Sequence, residues 1–229
     1  MSKKKALIVV TSVEKYPNMD RATGLWLAEA VHFYEKLANK GYEVDFVSPR
    51  GGYTPLDPVS LQTGVLPIDW KYYKDPVFRS KLANALTPKD INPKDYSVIY
   101  YSGGHGVIWD FPDDANLQKI SAEIYENGGI VSSVCHGAVG LLNIKLSNGN
   151  LLIKDKKLTG FSNQEEIMAE LADHVPFLTE NELVKRGAKY QKANQPFTSF
   201  AVVDERLVTG QNPQSGGAVG EEVLKILEG

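Results

Sequence analysis

Residues 128–138 read Gly128-Gly129-Ile130-Val131-Ser132-Ser133-Val134-Cys135-His136-Gly137-Ala138. The stretch from Gly129 to Val134 has the apolar, β-branched character of a strand buried on both faces, and Cys135 stands at its carboxyl end, where a short glycine-containing helix begins at His136. In open α/β sheets ligands bind beyond the carboxyl ends of the strands, and a helix N-terminus there offers amide donors and positive potential. A thiol so placed is expected to ionise with a pKa lowered to about 3.5 to 7.5 and to act as a nucleophile at neutral pH. A lone cysteine is more often an inert buried side chain. The adjacent His136 and the strand-to-helix turn favour chemistry at this one.

Working outward, the same buried-strand pattern recurs at Ala6 to Val10, Glu43 to Ser48 and Ser97 to Tyr101, with helical spacing between the runs at Gly24 to Asn39 and Asp113 to Glu126. This alternation predicts right-handed crossover units, hence a flavodoxin-like, doubly wound α/β sandwich: a mostly parallel sheet with helices on both faces. Further elements are expected as a strand near Leu158, helices near Asn163 to Leu171 and Glu180 to Lys185, strands around Phe200 to Val203 and Arg206 to Val208, and a C-terminal helix ending at Leu227. Residues 50–87 break the rhythm with prolines, Gly51-Gly52 and the aromatics Trp70, Tyr72, Tyr73 and Phe78. They read as an inserted lid ending in a short helix near Asp75 to Leu86, although the aromatics could equally cover core surface. A chain of 229 residues is accommodated by one such domain, spanning 1–229.

Composition limits the function classes. The 25 basic and 28 acidic residues are interspersed, giving a net charge of −3, and the only basic run is Lys3-Lys4-Lys5. No basic stripe for a nucleic acid is visible. The apolar stretch after that run is too short for a signal peptide or a membrane span, so a cytoplasmic protein is expected, and a single cysteine precludes an internal disulfide. Two glycine-containing segments have shapes suited to an oxyanion: Ser102-Gly103-Gly104-His105-Gly106, which follows a strand, and Thr209 to Ser215, which joins the last strand to the last helix. Either alone reads equally as a turn. His32 falls on the polar side of the first helix and reads as a surface residue or part of the lid lining, and His174 has no partner at a metal-ligand spacing. With no H-E-x-x-H, cysteine cluster or phosphate-binding glycine motif, no metal and no cofactor are expected.

Six ordered segments together resemble the DJ-1/PfpI superfamily and, within it, the Hsp31-like glyoxalase III branch. They are TGLWLAEAVH at Thr23 to His32, VDFVSPRGG at Val44 to Gly52, YYSGGHGVIWDFP at Tyr100 to Pro112, VCHG at Val134 to Gly137, LTGFSNQEE at Leu158 to Glu166 and RLVTGQNPQS at Arg206 to Ser215. The resemblance implies that Cys135 is the nucleophile, His136 its partner, Glu29 the carboxyl facing the thiol, and Glu166 the group that orients the histidine. Gly103, Gly104 and His105 fall where an oxyanion or substrate would bind. Two of these roles compete with plain helix chemistry. On a helical wheel Glu29 lies opposite the stripe centred on Leu27, so periodicity alone leaves it in solvent. Glu166 has the spacing of a reciprocal partner to an Asn163 cap, as Glu165 has to Ser162. Glu165 is therefore the alternative orienter.

The implied activity is glutathione-independent conversion of methylglyoxal or glyoxal to D-lactate or glycolate through a Cys135 hemithioacetal, on a small 2-oxoaldehyde, with a homodimer as the assembly. The competing readings are a cysteine peptidase, amidase or protein deglycase using the same pair, and a stress holdase or redox-sensing protein whose cysteine is oxidised. Glutamine amidotransferase chemistry is disfavoured, because Ser133 occupies the first glycine position of G-x-C-x-G and the chain contains no H-x-E.

Overall fold

The computed structural model describes residues 4–229, so Lys3 of the basic run lies outside the described residues. The first apolar run forms β1 (Lys5–Val9) and is followed by α1 (Leu27–Asn39) and β2 (Glu43–Val47). The inserted segment carries two helices where one was expected, α2 (Pro67–Lys74) and α3 (Pro76–Ala83). Both start with proline at the first helical position, where no amide is needed, and Asp75 caps α3 by accepting from the Phe78 amide at 2.8 Å. Next come β3 (Val98–Tyr101), α4 (Ala115–Glu126) and β4 (Ile130–Val134). Beyond β4 are β5 (Lys157–Leu158), α5 (Asn163–Met168), α6 (Thr179–Lys185), β6 (Lys189–Tyr190), β7 (Ala201–Asp204), β8 (Leu207–Gly210) and α7 (Gly216–Glu228).

The main sheet has the order β2-β1-β3-β4-β8-β7. Every pairing in it is parallel except β7 with β8, which form an antiparallel hairpin at the edge. The mostly parallel α/β sandwich is the architecture the alternating runs imply. β5 and β6 form a separate two-stranded parallel ladder, and β6 carried no apolar signal of its own because its Lys189 and Tyr190 are not fully buried.

Successive strand residues face opposite sides, and both sides are covered. Leu7, Val9, Ile99, Tyr101 and Val131 pack with Leu117, Ile120 and Ile124 of α4 on one face. Ala6, Ile8, Val98, Tyr100, Ile130 and Val208 pack with Leu27, Val31 and Phe33 of α1 and with Val219 and Val223 of α7 on the other. Cys135 belongs to this second layer.

The inserted segment divides in two. Phe78 on α3 is fully buried, its ring 5.1 Å from Tyr34, 5.5 Å from Phe46 and 5.6 Å from Tyr72. These aromatics complete the core over β2, whereas Trp70 remains partly exposed.

Candidate active site

The carboxyl ends of β3 and β4 and the start of α1 meet at one edge of the sheet. Trp26, at the N-cap of α1, has no side-chain cap; its amide donates instead to the Gly103 carbonyl at 3.1 Å. The first turn of α1 is thereby tucked under the loop that follows β3. That loop can approach only because it lacks side chains. A Cβ on Gly103 would stand 2.6 Å from Glu29 Oε2, and Gly104 adopts φ +101°, where a Cβ would meet the Gly24 carbonyl at 2.1 Å.

The close approach explains Glu29. The residue is fully buried, with Oε2 accepting from the Gly103 amide at 2.7 Å, while its own carbonyl accepts from the Tyr100 hydroxyl at 2.9 Å. The wheel places Glu29 on the face that is solvated along a helix packed by one side only. Here the loop after β3 covers the first turn, and α7 packs close to it, a Cβ on Gly216 falling 3.5 Å from the Glu29 Cα. Burial pushes the Glu29 carboxyl up to about 8, against the hydrogen bonds of the Cys135 thiol and the Gly103 amide, which pull it down. Its cause is desolvation, more than repulsion by a thiolate.

Cys135 sits at φ +57°, a left-handed conformation unusual for a residue with a Cβ, which turns the chain sharply from β4 into the next segment. That segment is a seven-residue 3₁₀ helix, Cys135–Leu141. The thiol is buried, with Sγ 3.5 Å from His136 Nδ1. The expected lowering of its pKa is reversed in direction. Burial raises it first, the Glu29 charge raises it further, and a single short 3₁₀ helix with one opposing backbone hydrogen bond does not compensate.

His136 is held on three sides. Nε2 lies 2.6 Å from Glu166 Oε2, and the ring has Phe161 and His105 at centroid separations of 4.2 Å and 4.2 Å. His105 Nε2 lies 2.7 Å from the other oxygen of the same carboxylate. Burial opposes the Glu166 charge, but attraction to His136 and the hydrogen bonds from both rings hold this carboxyl well below its ordinary value. The ionised carboxylate therefore accepts two Nε2–H bonds, which turns Nδ1 of His136 toward the thiol.

Glu165 is engaged elsewhere. It closes a capping box with Ser162, accepting from its amide and hydroxyl at 3.0 and 2.8 Å, and accepts from the Phe197 amide at 2.8 Å and Asn212 Nδ2 at 2.9 Å. The structure thus brings Cys135, His136, Glu29, Glu166, Gly103 and His105 together and gives Glu165 to the surrounding loops.

Donor atoms of His105, His136 and Glu166 all lie within 4.8 Å of one another, a grouping that could hold a divalent ion. The nitrogen-to-oxygen separations of 2.6 and 2.7 Å are those of proton-bridged pairs. Ligand bonds of about 2.0 Å to a shared metal would spread the donors further apart.

Cys135, Gly104, His105 and His136 line a cavity of about 680 Å³ whose other walls include Trp26, Phe161, Leu171 and Phe197. Asp57, Val59 and Leu66 from the inserted segment also line it. His32, read as a surface residue or part of the lid lining, lines the cavity, its side chain 19% exposed and Nε2 3.0 Å from buried Asp69. Trp26, Phe161, Leu171 and Phe197 were not singled out as wall residues in the sequence, because they come from separate segments and share no spacing. His174 contributes its backbone carbonyl to Asn18 at 2.9 Å.

Among known proteins, the model of the DJ-1/PfpI family matches residues 22–226. The glutathione-independent glyoxalase HSP31 of Saccharomyces cerevisiae is 37% identical, covering 100% of both chains. Two solved structures superpose closely. One is the Rapid Encystment Protein 24 KDa of Francisella tularensis, with TM-score 0.93, 38% identity and coverage of 98% of this chain and 99% of that one. The other is glyoxalase III from Candida albicans, with TM-score 0.89, 33% identity and coverage of 97% and 96%. The match over nearly the whole length, around a cysteine at the elbow after β4, places this chain in the DJ-1/PfpI family.

Proposed function

We propose that the protein is a glutathione-independent glyoxalase that converts a 2-oxoaldehyde such as methylglyoxal or glyoxal to the 2-hydroxy acid. The observation that carries this reading is the buried Cys135 thiol between two carboxyl systems, Glu29 on one side and the His136–Glu166 pair on the other, opening onto a mostly apolar cavity. The relatives named above as glyoxalases support it.

The reaction needs no redox partner, because the aldehyde carbon is oxidised by its own neighbour. His136 Nδ1 takes the thiol proton as Sγ adds to the aldehyde carbon, and the imidazolium so formed is balanced by the Glu166 carboxylate. The oxyanion develops beside the Gly104 amide. The Gly103 amide is already committed to Glu29, so it acts chiefly through that carboxylate. Glu29, protonated at rest, gives its proton to the oxyanion, which yields the hemithioacetal S–CH(OH)–CO–R and leaves Glu29 as a carboxylate. That carboxylate then carries the carbon-bound proton from the former aldehyde carbon to its neighbour through an enediolate. A pKa near 8 suits that task, since a base works best when poised near the operating pH. The resulting thioester S–CO–CH(OH)–R is hydrolysed, and the thiol is restored.

A second reading rests on size. A cavity of about 680 Å³ is in the range that encloses drug-sized ligands, far more than the five heavy atoms of methylglyoxal require. An aldehyde adduct on an amino acid or peptide would also fit, which is the deglycase alternative. We further propose that residues 50–66 act as the cover of this cavity and that the chain works in the cytoplasm as a homodimer, which sedimentation of the purified protein tests.

The deciding experiment is product analysis with methylglyoxal in the absence of glutathione. D-lactate should accumulate with the parent protein and not with Cys135→Ala; equal formation by the two would remove the thiol from the mechanism.

A further inference from the structure

The isomerisation at the centre of the proposed reaction moves two protons. One leaves the former aldehyde carbon for the adjacent carbon. The other must leave the hydroxyl on the first carbon and reach the oxygen on the second, since S–CH(OH)–CO–R becomes S–CO–CH(OH)–R. Glu29 can carry only the carbon proton while the enediolate exists, and a second carrier is required for the oxygen proton.

We propose that His105 is that carrier, shuttling the hydroxyl proton between the two substrate oxygens through its Nδ1. The inference rests on the glyoxalase reading of the site and extends it.

Three observations support the role. First, the Nε2 of His105 is committed to Glu166 Oε1 at 2.7 Å, and that carboxylate also holds His136 Nε2 at 2.6 Å. One ionised carboxylate thereby sets both imidazoles in the same tautomer, each with Nδ1 as its lone pair. The two lone pairs are given different tasks by position: Nδ1 of His136 meets Cys135 Sγ at 3.5 Å, whereas Nδ1 of His105 has no protein partner among the described residues. Second, His105 lines the cavity beside Cys135 while being only 7% exposed, so its ring is placed to meet bound substrate and not bulk water. Third, the ring is fixed. It lies 4.2 Å from His136 and 5.9 Å from Tyr16, and it opens a 3₁₀ turn, His105–Trp109, after a glycine whose φ excludes other residues.

The charge state agrees with the geometry. Burial, and then the neighbouring His136, lower the His105 pKa, so the ring enters the reaction as a neutral base. It accepts the O–H proton as the enediolate collapses and its second carbon is protonated by Glu29, holds it as imidazolium against Glu166, and returns it to the second oxygen, which is then an alkoxide. No net charge is gained and no oxidant is consumed.

The test compares His105→Gln and His105→Phe in the full-length protein. Glutamine keeps an N–H donor for Glu166 but cannot carry the proton, and phenylalanine removes both. Two quantities are read for each variant: D-lactate turnover from methylglyoxal, and the pH profile of Cys135 alkylation by iodoacetamide. The proposal expects His105→Gln to keep the parent alkylation profile while kcat falls by about a hundredfold to ten-thousandfold. Added imidazole should restore part of that loss. Turnover by His105→Gln within threefold of the parent overturns the role of His105 alone. A loss in both variants that tracks a displaced alkylation profile also overturns it, by reducing His105 to a prop for Glu166. A parent protein that forms no 2-hydroxy acid from any 2-oxoaldehyde overturns the glyoxalase reading and the shuttle together.

Discussion

At the scale of single residues, the site is organised by where negative charge is tolerated. Glu166 has two N–H donors and stays ionised; Glu29 has one backbone amide and a thiol, and burial keeps it protonated up to about 8. This difference makes Glu29 the informative side chain to change. Glu29→Gln retains the size and the acceptor for the Gly103 amide but cannot take a proton from carbon. Turnover of methylglyoxal should therefore fall about a hundredfold to ten-thousandfold. The thiol should respond in the opposite sense. Because the Glu29 charge is one of the causes holding Cys135 up, its removal should let alkylation begin at a lower pH than in the parent. The parent itself should label slowly at pH 7. An unchanged onset in Glu29→Gln, followed by iodoacetamide between pH 6 and 10, would contradict the coupling of these two groups.

At the scale of elements, the sequence and the structure part company in instructive places. The strand ends that position Cys135 and the Gly103-Gly104 loop were legible, because β1, β3 and β4 are buried on both faces and are rich in apolar and β-branched residues, interrupted in β4 only by Ser132 and Ser133. The burial of Glu29 was not, since a wheel assumes one packed face and the first turn of α1 has two. The choice between Glu165 and Glu166 was open in the sequence, yet the Ser162 capping box carries the signal: a carboxylate that serves its own helix N-terminus is spoken for. Nor could a pattern of prolines and aromatics reveal that residues 50–87 split into a cavity wall and a core cover. That division predicts separable effects. Phe78→Ala, at a fully buried ring, should lower stability by about 3–5 kcal/mol with little change in KM. Leu66→Trp, at a side chain 49% exposed on the cavity rim, should leave the urea midpoint nearly unchanged and alter KM. Equal effects of the two on stability, or a KM change confined to Phe78→Ala, would show that the segment acts as one unit.

At the scale of the whole molecule, the site burdens the fold on the alkaline side. Two buried carboxyls have raised pKa values, Glu29 at about 8 and Asp110 at about 7, both chiefly through burial. In the unfolded chain they ionise near their ordinary 4.5 and 3.8. Between those limits the folded state holds protons that the unfolded state has released. The stability each group contributes is complete below its unfolded pKa and is lost as pH rises through the folded one, with a slope of up to about 1.4 kcal/mol per pH unit. Glu166 works in the reverse sense: its lowered pKa adds stability above the ordinary carboxylate range, and that contribution is lost only in strong acid. The two trends place the maximum of stability in acid, at about the unfolded carboxylate values, with a decline from there through pH 8. Thermal unfolding followed by calorimetry should give a Tm several degrees lower at pH 8.5 than at pH 5, since about 1 kcal/mol corresponds to 2–4 °C for a chain of this size. Replacing the two groups, in the double variant Glu29→Gln with Asp110→Asn, should flatten the alkaline limb and raise Tm at pH 8.5 relative to the parent. A parent Tm that is level between pH 5 and 8.5, or an equally steep decline in the double variant, would mean that neither carboxyl stays protonated in the folded protein, and the assignment of Glu29 as a base poised near neutrality would fall with it.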